Sequence, residues 1–480
     1  MDSDLTDLTA GQLAAAIAAG TCSAREAVQA FLDRIDAVDR CGPALNAMLE
    51  INPAAMEIAG HRDESSARGD ERSPLHGVPV VLKANIDTGD AMATSAGSLA
   101  LANHRPARDA PLVARLRAAG AVLLGKTNLS EWANFRSTKS ISGWSSLGGQ
   151  TRNPHGLDRS PSGSSSGSAV AVAARLAPLS VGTETDGSIV WPAGACGVVG
   201  IKPTVGTIDR DGIVPIAAST DTAGPFANNV ADAALLLDAL CRRSTTTASR
   251  SGLRGVRVGV LRHGAKSHAG VAAALADAVN ALSDLGADVV DGLFLDVPDA
   301  VYDAEYQLLL HEFKDGLNRY LAGRDTGFRD LASLIAHNEA HADVVMPLFG
   351  QEHFEAAEAT DGLDCPAYKA AVADSVDAMR QAVDGLFRTH ELRALVAATN
   401  GPAWKIGESE RGHISSSSIA AVSGYPSVAV PWALVDSLPV AVSFVGLPHS
   451  EVNLVGLAMA FEDARGVFPP PSMEQTPERA

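Results

Sequence analysis

Lysine and serine side chains in three short segments of the sequence could together carry out nucleophilic catalysis. Lys83 ends the apolar stretch GVPVVLK (77–83), where a charged ammonium group is costly. It therefore either extends to solvent or has a lowered pKa and acts as a neutral base. The segments SPSGSSSGS (160–168) and GTETDGS (182–188) supply candidate hydroxyl nucleophiles.

The later of the two serine segments is a donor-rich turn that ends at Ser188. Successive backbone N–H groups of such a turn can point into one concavity and stabilise a developing oxyanion. We expect the donors to be the backbone N–H groups of Thr185, Asp186, Gly187 and Ser188. A serine at the end of this turn is a candidate nucleophile.

Two familiar motif patterns fit their surroundings poorly. GAVLLGKT (120–127) has the spacing of a phosphate-binding loop, but its interior is apolar and it follows a predicted helix instead of a strand. GSSSG (163–167) has the pattern of a nucleophile elbow and would nominate Ser165, but it ends a long polar loop where an elbow needs a buried strand. A linker rich in Ser and Gly is the other interpretation of this segment. The histidines lie at no spacing typical of a metal site, so we expect no bound metal.

Helix and strand patterns alternate along the chain, which predicts an α/β fold with a sheet covered on both faces. Residues 137–168 are rich in Gly, Ser and Asn and show no periodicity, which predicts a long functional loop. The predicted helices cover 9–20, 23–38, 109–119, 168–174, 230–240, 268–285, 451–465 and most of 299–390. The first predicted strand ends near Lys83, and further strands are predicted over 120–127, 255–262, 287–292, 393–398 and 440–445. A polar turn is predicted at 182–188, followed by a glycine-rich segment to Pro203.

The composition of the 480 residues is that of an ordinary globular chain, with 46% hydrophobic and 20% charged residues. The 38 Lys and Arg against 56 Asp and Glu give a net charge of −18, which disfavours nucleic acid as a partner. No apolar run is long enough to span a membrane, and the acidic start MDSDLTDL is unlike a secretory signal, so we expect a cytoplasmic protein. The five cysteines are scattered, which predicts reduced thiols.

The string SPSGSSSGSAVAVAARLAPLSVGTETDGSIVWPAGACGVVGIKPT (160–204), with GVPVVLKANID upstream, resembles the amidase signature family of Ser-Ser-Lys hydrolases. The resemblance covers roughly residues 5–240 and 390–466. It implies that Lys83 is the base, Ser164 the relay and Ser188 the nucleophile, and that a cis peptide bond joins Gly163 to Ser164. It also implies a large mixed β-sheet with helices on both faces, and a reaction that needs neither a metal nor an organic cofactor.

The segments ETDGSIV, FRSTKSISGW, GGQTRNP, RDGIVPIAASTDTAGP and TNGPAW look closer to the peptide-amidase branch than to the tRNA-dependent amidotransferase branch. The chain departs from the family pattern at Ala84, where Asp is frequent, and at Val190, where Arg is frequent. The resemblance thus implies an amidohydrolase acting on linear amides (EC 3.5.1.-), working on a small-molecule peptide amide or aryl amide as a monomer or homodimer. The alternatives are an esterase or carbamate hydrolase with the same three residues, one component of an amidotransferase, and an inactive binding protein.

Several residues in or beside the same loops are candidates for substrate binding. Bulky rings there could shape an apolar acyl site, although large aromatic side chains are also buried for packing alone. The candidates are Phe135, Trp144, Gly163, Trp191, Asn400 and Trp404.

The motifs are spread along most of the chain, which predicts one domain over residues 1–480 with a helical insertion. Within it we expect N-terminal helices at 5–75, the signature core at 76–250, a variable, largely helical insertion at 251–390 and a C-terminal completion of the core at 391–470. The insertion could form a lid or wall over the cleft.

Overall fold

The described residues of the computed structural model, 4–70, 73–241, 253–262, 264–409 and 412–476, contain 13 strands. In chain order they are β1 (Met48–Ile51), β2 (Pro79–Lys83), β3 (Val122–Thr127), β4 (Trp144–Ser145), β5 (Gly149–Gln150), β6 (Leu179–Glu184), β7 (Val199–Lys202), β8 (Thr222–Ala227), β9 (Arg257–Leu261), β10 (Asp288–Leu293), β11 (Ala394–Ala398), β12 (Ser427–Val435) and β13 (Leu438–Val445). Eleven of them form one mixed sheet in the order β1-β3-β2-β6-β8-β7-β12-β13-β11-β9-β10, and β4 pairs with β5 in a small hairpin.

Helices surround the large sheet. They are α1 (Ala10–Ala19), α2 (Ala24–Arg34), α3 (Ala55–Arg68), α4 (Pro111–Ala118), α5 (Ser166–Ala173), α6 (Val190–Ala195), α7 (Val230–Leu240), α8 (Ala269–Asp284), α9 (Ala300–Ala322), α10 (Leu331–Ala340), α11 (Ala342–Val345), α12 (Glu352–Glu358), α13 (Pro366–Val372), α14 (Ala378–His390), α15 (Ser417–Ser423) and α16 (Glu451–Arg465). Side-chain capping boxes begin α1 at Thr9 and α2 at Ser23, at the starts of the helices predicted over 9–20 and 23–38. No described helix has both the length and the apolar character needed to cross a membrane.

Both faces of the sheet are buried, and β2 shows how the sequence achieves this. Val80 and Leu82 pack in the core shared with α4, α7, α8 and α16, whereas Val81 packs in the core shared with α1, α2, α5 and α6. Successive side chains of a strand point to opposite faces, so a continuous apolar run is what a doubly covered strand needs. The predicted α/β class, with a mixed sheet covered on both sides, is confirmed.

A third apolar cluster joins the helices after α8 to loops at the edge of the sheet. Leu308, Phe313 and Leu317 of α9 pack with Phe354 of α12 and with Phe135. The helical segment therefore packs against the residues that lead from β3 into the loop 137–168.

The structure corrects several element boundaries. Residues 182–184 belong to β6, so the predicted polar turn begins only at Thr185. The glycine-rich segment that follows contains α6 and β7. The predicted loop 137–168 contains the short strands β4 and β5. The sequence patterns do not indicate the strands β1, β8 and β12. The strands predicted at 255–262 and 287–292 are β9 and β10, of which β10 forms one edge of the sheet, and the expected boundary at 250–251 lies outside the described residues.

A buried ion pair ties the loop after β3 to the helical segment. Arg136 donates to Glu131 Oε1 at 2.6 Å and to the Val345 carbonyl at 2.7 Å, and both charged side chains are inaccessible to solvent. Arg136→Met would leave the Glu131 carboxylate buried without its cation, so we expect the free energy of unfolding to fall by about 3–5 kcal/mol. Chemical denaturation measures this change.

The control for this prediction is Arg40→Met. Arg40 pairs with Asp36 at 3.0 Å on the surface, where a pair contributes about 0–1 kcal/mol. Equal losses of stability in the two variants would contradict the importance assigned to the buried pair.

Candidate active site

Lys83 lies at the carboxyl end of β2, between the parallel neighbours β3 and β6. The carboxyl ends of parallel strands meet at one edge of a sheet, which is where α/β proteins form their sites. The lysine is fully buried, and its Nζ lies 2.7 Å from Ser164 Oγ, 2.9 Å from Thr183 Oγ1 and 3.2 Å from the Thr183 carbonyl oxygen. The sequence left open whether Lys83 extends to solvent or stays buried, and the structure shows that it is buried.

Burial makes Lys83 a group that can lose its proton near neutral pH. Loss of solvation lowers its pKa to about 7, and the negative charges of Asp221 and Glu184 oppose only part of that effect. In the neutral form the amine has a free electron pair. At 2.7 Å it can then accept the hydroxyl proton of Ser164.

The backbone before and after Ser164 has a defined conformation and hydrogen bonding. The peptide bond from Gly163 to Ser164 is cis, as the family resemblance implies, and the Ser164 carbonyl accepts the N–H of Ser130 at 3.0 Å. A Cβ atom on Gly163 would lie 2.3 Å from Ser130 Oγ, so a side chain at that position would push Ser130 away. Only glycine fits beside Ser130.

The turn after β6 is fixed by the side chains that begin it. Glu184 accepts the backbone N–H groups of Ile189 at 2.7 Å and Val190 at 3.0 Å. The Thr185 hydroxyl donates to Asp221 at 2.6 Å. The turn is thereby tied to the first residues of α6 and to the loop before β8.

Asp186 fixes the other side of the turn. Its two carboxylate oxygens accept the hydroxyls of Ser417 and Ser418, each at 2.6 Å. Gly187 has a φ of +77°, and a Cβ there would lie 2.9 Å from Ser417 Oγ, so both the conformation and the space require glycine.

Ser188 lies at the end of a turn whose backbone N–H groups are available as hydrogen-bond donors. In the part of the chain that the structure describes, the backbone N–H groups of 185–188 have no acceptor. Ser188 is 7% exposed, and its carbonyl accepts the N–H of Ser165 at 3.2 Å, which joins the turn to the residue after Ser164. The predicted donors and the two predicted serines thus meet at the end of β2.

Ser165, the serine of the alternative elbow, is engaged by a strand. Its hydroxyl donates to the Thr183 carbonyl at 2.9 Å and accepts the Thr183 N–H at 3.2 Å. These two bonds hold the start of α5 against β6. Lys126, the lysine of the phosphate-loop pattern, lies within β3 and is fully buried, so that segment is a strand and not a loop.

Two of the predicted aromatic residues lie beside the turn. The rings of Trp191 and Trp404 are 5.3 Å apart, and Trp404 stacks on His413 at 4.9 Å. The ring of Trp191 comes within 3.6 Å of a Cβ built on Gly187. The Trp191 indole therefore packs against the turn that ends at Ser188, and Trp404 packs on Trp191.

The other predicted binding residues have different surroundings. Phe135 packs against Phe313 and stacks on His353, each at 5.0 Å between ring centroids, and Trp144 meets Phe349 at 5.1 Å. These rings join the loop to the helical segment.

The Asn400 carboxamide bonds to the strand backbone. It donates to the carbonyls of Gly401 and Pro439 at 2.9 and 3.0 Å, and it accepts the N–H of Ala441 at 3.0 Å.

The sequence patterns do not indicate four supporting residues: Thr183, Asp221, Ser417 and Ser418. Asp221 lies within ASTDTAGP, a segment that contributes only to the family resemblance. The serines belong to the run 415–418, which is more than 220 residues from the turn it holds and carries no spacing signal. No pattern in a single sequence predicts that these serines contact Asp186.

Comparison with known proteins agrees with this geometry. The Amidase family model matches residues 26–455. A protein of Arabidopsis thaliana named "Probable amidase" is 39% identical over 91% of this chain and 86% of its own length. A glutamyl-tRNA(Gln) amidotransferase component from Salinispora arenicola is 35% identical over 98% of this chain and 100% of its own length.

Solved structures are similar over nearly the whole length. The native peptide amidase from Stenotrophomonas maltophilia is 47% identical, with a TM-score of 0.93 over 97% of this chain and 99% of its own. A peptide amidase in complex with the competitive inhibitor chymostatin is 48% identical, with a TM-score of 0.92 over the same shares of the two chains. The chain belongs to the amidase signature family and is an enzyme that hydrolyses the C–N bond of carboxylic amides.

Proposed function

We propose that this amidase cleaves peptide amides through an acyl-enzyme on Ser188, with Ser164 and Lys83 relaying the proton. The observation that carries the proposal is the 2.7 Å contact between the buried Lys83 Nζ and Ser164 Oγ at the end of β2. A neutral amine in that position is a base within hydrogen-bonding reach of a serine hydroxyl. The turn that ends at Ser188 lies directly beside it.

The first half of the reaction forms the acyl-enzyme. Neutral Lys83 takes the proton of Ser164 as Ser164 takes the proton of Ser188, and Ser188 Oγ bonds to the carbonyl carbon. The C–N bond then breaks, and the proton returns through Ser164 to the leaving nitrogen, which departs as ammonia or an amine.

Deacylation uses the same relay with water as the nucleophile. Water gives a proton to Ser164 as its oxygen bonds to the acyl carbon, and the ester bond to Ser188 breaks with return of that proton. The carboxylic acid leaves and the three side chains regain their starting states. In both halves the N–H groups of 185–188 hold the oxyanion, and each donor contributes about 3 kcal/mol to the transition state.

Similarity and charge together favour a peptide amide as the substrate. The chain is 47% identical to a peptide amidase over nearly its whole length, and the Trp191 indole, packed against the turn with Trp404 on it, is an apolar surface suited to an acyl side chain. The net charge of −18 offers little attraction to tRNA, so we place the amidotransferase reaction second.

A matched substrate panel tests this assignment. It contains one acyl group, N-acetylphenylalanyl, presented as the primary amide, the anilide and the methyl ester, together with a phenyl carbamate and free glutamine. We expect the primary amide to give the highest kcat/KM among the nitrogen substrates, with equal amounts of ammonia and acid. Preferred hydrolysis of glutamine, or of the carbamate, would overturn the peptide-amide assignment.

The rate should depend on pH through the protonation of Lys83. Below its pKa of about 7 the ammonium form has no electron pair to accept the Ser164 proton, so kcat/KM should fall about tenfold per pH unit. Above that pKa the neutral form dominates and the rate should level off. Initial rates between pH 5 and 10 measure the profile, and a rate independent of pH from 5 to 8 would contradict a basic role for Lys83.

A further inference from the structure

Helix α9 packs against the loop that carries Asp221. Near its middle, Glu312 accepts the backbone N–H of Ser219 at 2.8 Å and the Ser219 hydroxyl at 2.6 Å, and Tyr368 donates to the same carboxylate at 2.7 Å. Ser219 belongs to the loop that carries Asp221. Seven residues, about two turns, before Glu312 on the same face lies Glu305.

Glu305 is a buried carboxyl group whose partner is missing from the described residues. It is 8% exposed, and its Oε1 is inaccessible and has no hydrogen bond there. Burial, and then the charge of Asp186, raise the pKa of Glu305 well above its ordinary value, which favours the protonated form. Buried polar groups are almost always hydrogen-bonded, so a bound molecule could supply the partner that Glu305 Oε1 lacks among the described residues.

A cavity of about 250 Å³ lies beside the first turn of α9. Tyr302, one turn before Glu305, lines it, and burial followed by the charges of Asp186 and Glu305 raises the pKa of the Tyr302 phenol. Ser418, which donates to Asp186, lines it too. Most of the remaining wall is apolar, including Leu261, Leu293, Phe294, Leu295, Val297 and Ile419.

The cavity is close to the reacting atoms. Asp186 is two residues from Ser188, which limits their separation to about 7 Å, and the Ser418 hydroxyl on Asp186 is part of the cavity wall. Ser416 also lines the cavity and has a buried Oγ without a partner among the described residues.

We propose that Glu305 determines specificity by hydrogen-bonding the first peptide group on the acyl side of the scissile amide, and that the cavity takes the apolar side chain of the residue before it. A protonated carboxyl group offers one donor and one acceptor. A peptide group offers one acceptor, its carbonyl, and one donor, its N–H, so the two are complementary. The inference rests on the proposed function, since it concerns the acyl part of a peptide amide.

Two isosteric substrates isolate this contact. The first is N-acetylphenylalanine amide, and the second is O-acetylphenyllactamide, in which an ester oxygen replaces only the N–H. Ammonia release reports cleavage of the primary amide in both. For wild type we expect kcat/KM about 10- to 100-fold higher on the first substrate, since losing a buried hydrogen bond to the site has an effect of that size.

Variants of Glu305 should affect this ratio differently. Glu305→Leu should lose about 10- to 100-fold on the N–H substrate and less than about threefold on the ester analogue, so the ratio falls to near one. Glu305→Gln keeps one donor and one acceptor and should keep most of the ratio. Asp303→Asn, on the exposed side of the same helix, is the charge control and should leave both values unchanged.

The cavity has its own test. Val297→Trp places an indole in it and should lower kcat/KM about tenfold for N-acetyl-leucyl-phenylalanine amide, with little change for N-acetylphenylalanine amide. Equal losses on both substrates would overturn the assignment of the cavity.

The outcomes separate this inference from the proposed function. If wild type releases ammonia from neither substrate, the peptide-amide function fails and this inference fails with it. If wild type cleaves both without preference, or if Glu305→Leu slows both equally or keeps the ratio, only the role of Glu305 fails. Activity of Glu305→Leu on the ester analogue shows that the variant is folded.

Discussion

Ser188→Ala is expected to lower kcat/KM for a peptide amide by about 10⁴- to 10⁶-fold, the largest loss of any single substitution in the chain. The hydroxyl removed is the one that forms the covalent bond to the acyl group, and the N–H groups of 185–188 alone provide only weak residual catalysis. Initial rates at high enzyme concentration measure the loss. Thermal unfolding should be nearly unchanged, since one side-chain oxygen is removed.

Ser165→Ala is the matched control for this loss. Its hydroxyl bonds to both backbone groups of Thr183, so its removal should weaken the packing of α5 on β6 and leave kcat/KM within about tenfold of wild type. If Ser165→Ala were as inactive as Ser188→Ala while Lys83→Met stayed active, the nucleophile would be Ser165 and the elbow interpretation would be correct.

Lys83→Met is expected to lower kcat/KM by about 10³- to 10⁴-fold, the second largest effect. Methionine fills the buried space at the end of β2 and removes the electron pair that takes the Ser164 proton. Lys83→Arg should be equally inactive, because a guanidinium group stays charged and cannot act as a base near neutral pH. Single-turnover acylation rates separate this loss from any change in product release.

Lys126→Met provides the control for removing a buried lysine. Lys126 is also fully buried, and its Nζ donates to the Ile86 carbonyl and the Thr94 hydroxyl. We expect that substitution to lower stability and to leave the acylation rate of the folded enzyme within about tenfold of wild type. A similar loss of acylation in both variants would mean that Lys83 acts on stability and not on the reaction.

Much of the fold follows from local patterns in the sequence. The apolar run before Lys83 must be covered on both faces because Val80, Val81 and Leu82 alternate between two cores. Among the strands that the patterns do not indicate, β8 contains Gly224 and Pro225, which are weak strand formers. The order of eleven strands depends on long-range pairing, which single-sequence periodicity does not encode.

The candidate site divides in the same way. The resemblance names Lys83, Ser164 and Ser188, and the structure brings them to one edge of the sheet. The support for the turn comes from Asp221, through Thr185, and from the serines at the start of α15, none of which could be found from spacing. Glu305 lies in no motif, and what distinguishes it from the other acidic residues of α9 is a buried oxygen without a hydrogen-bond partner among the described residues.

Mass spectrometry of the enzyme trapped during turnover tests the nucleophile most directly. Wild type is mixed with a slow peptide anilide, quenched in acid within the first turnover, digested and mapped. The account predicts an added acyl mass on Ser188, absent from Ser164 and Ser165, and absent altogether from Ser188→Ala. An acyl group on another residue, or full turnover with no acyl-enzyme at any quench time, would contradict it.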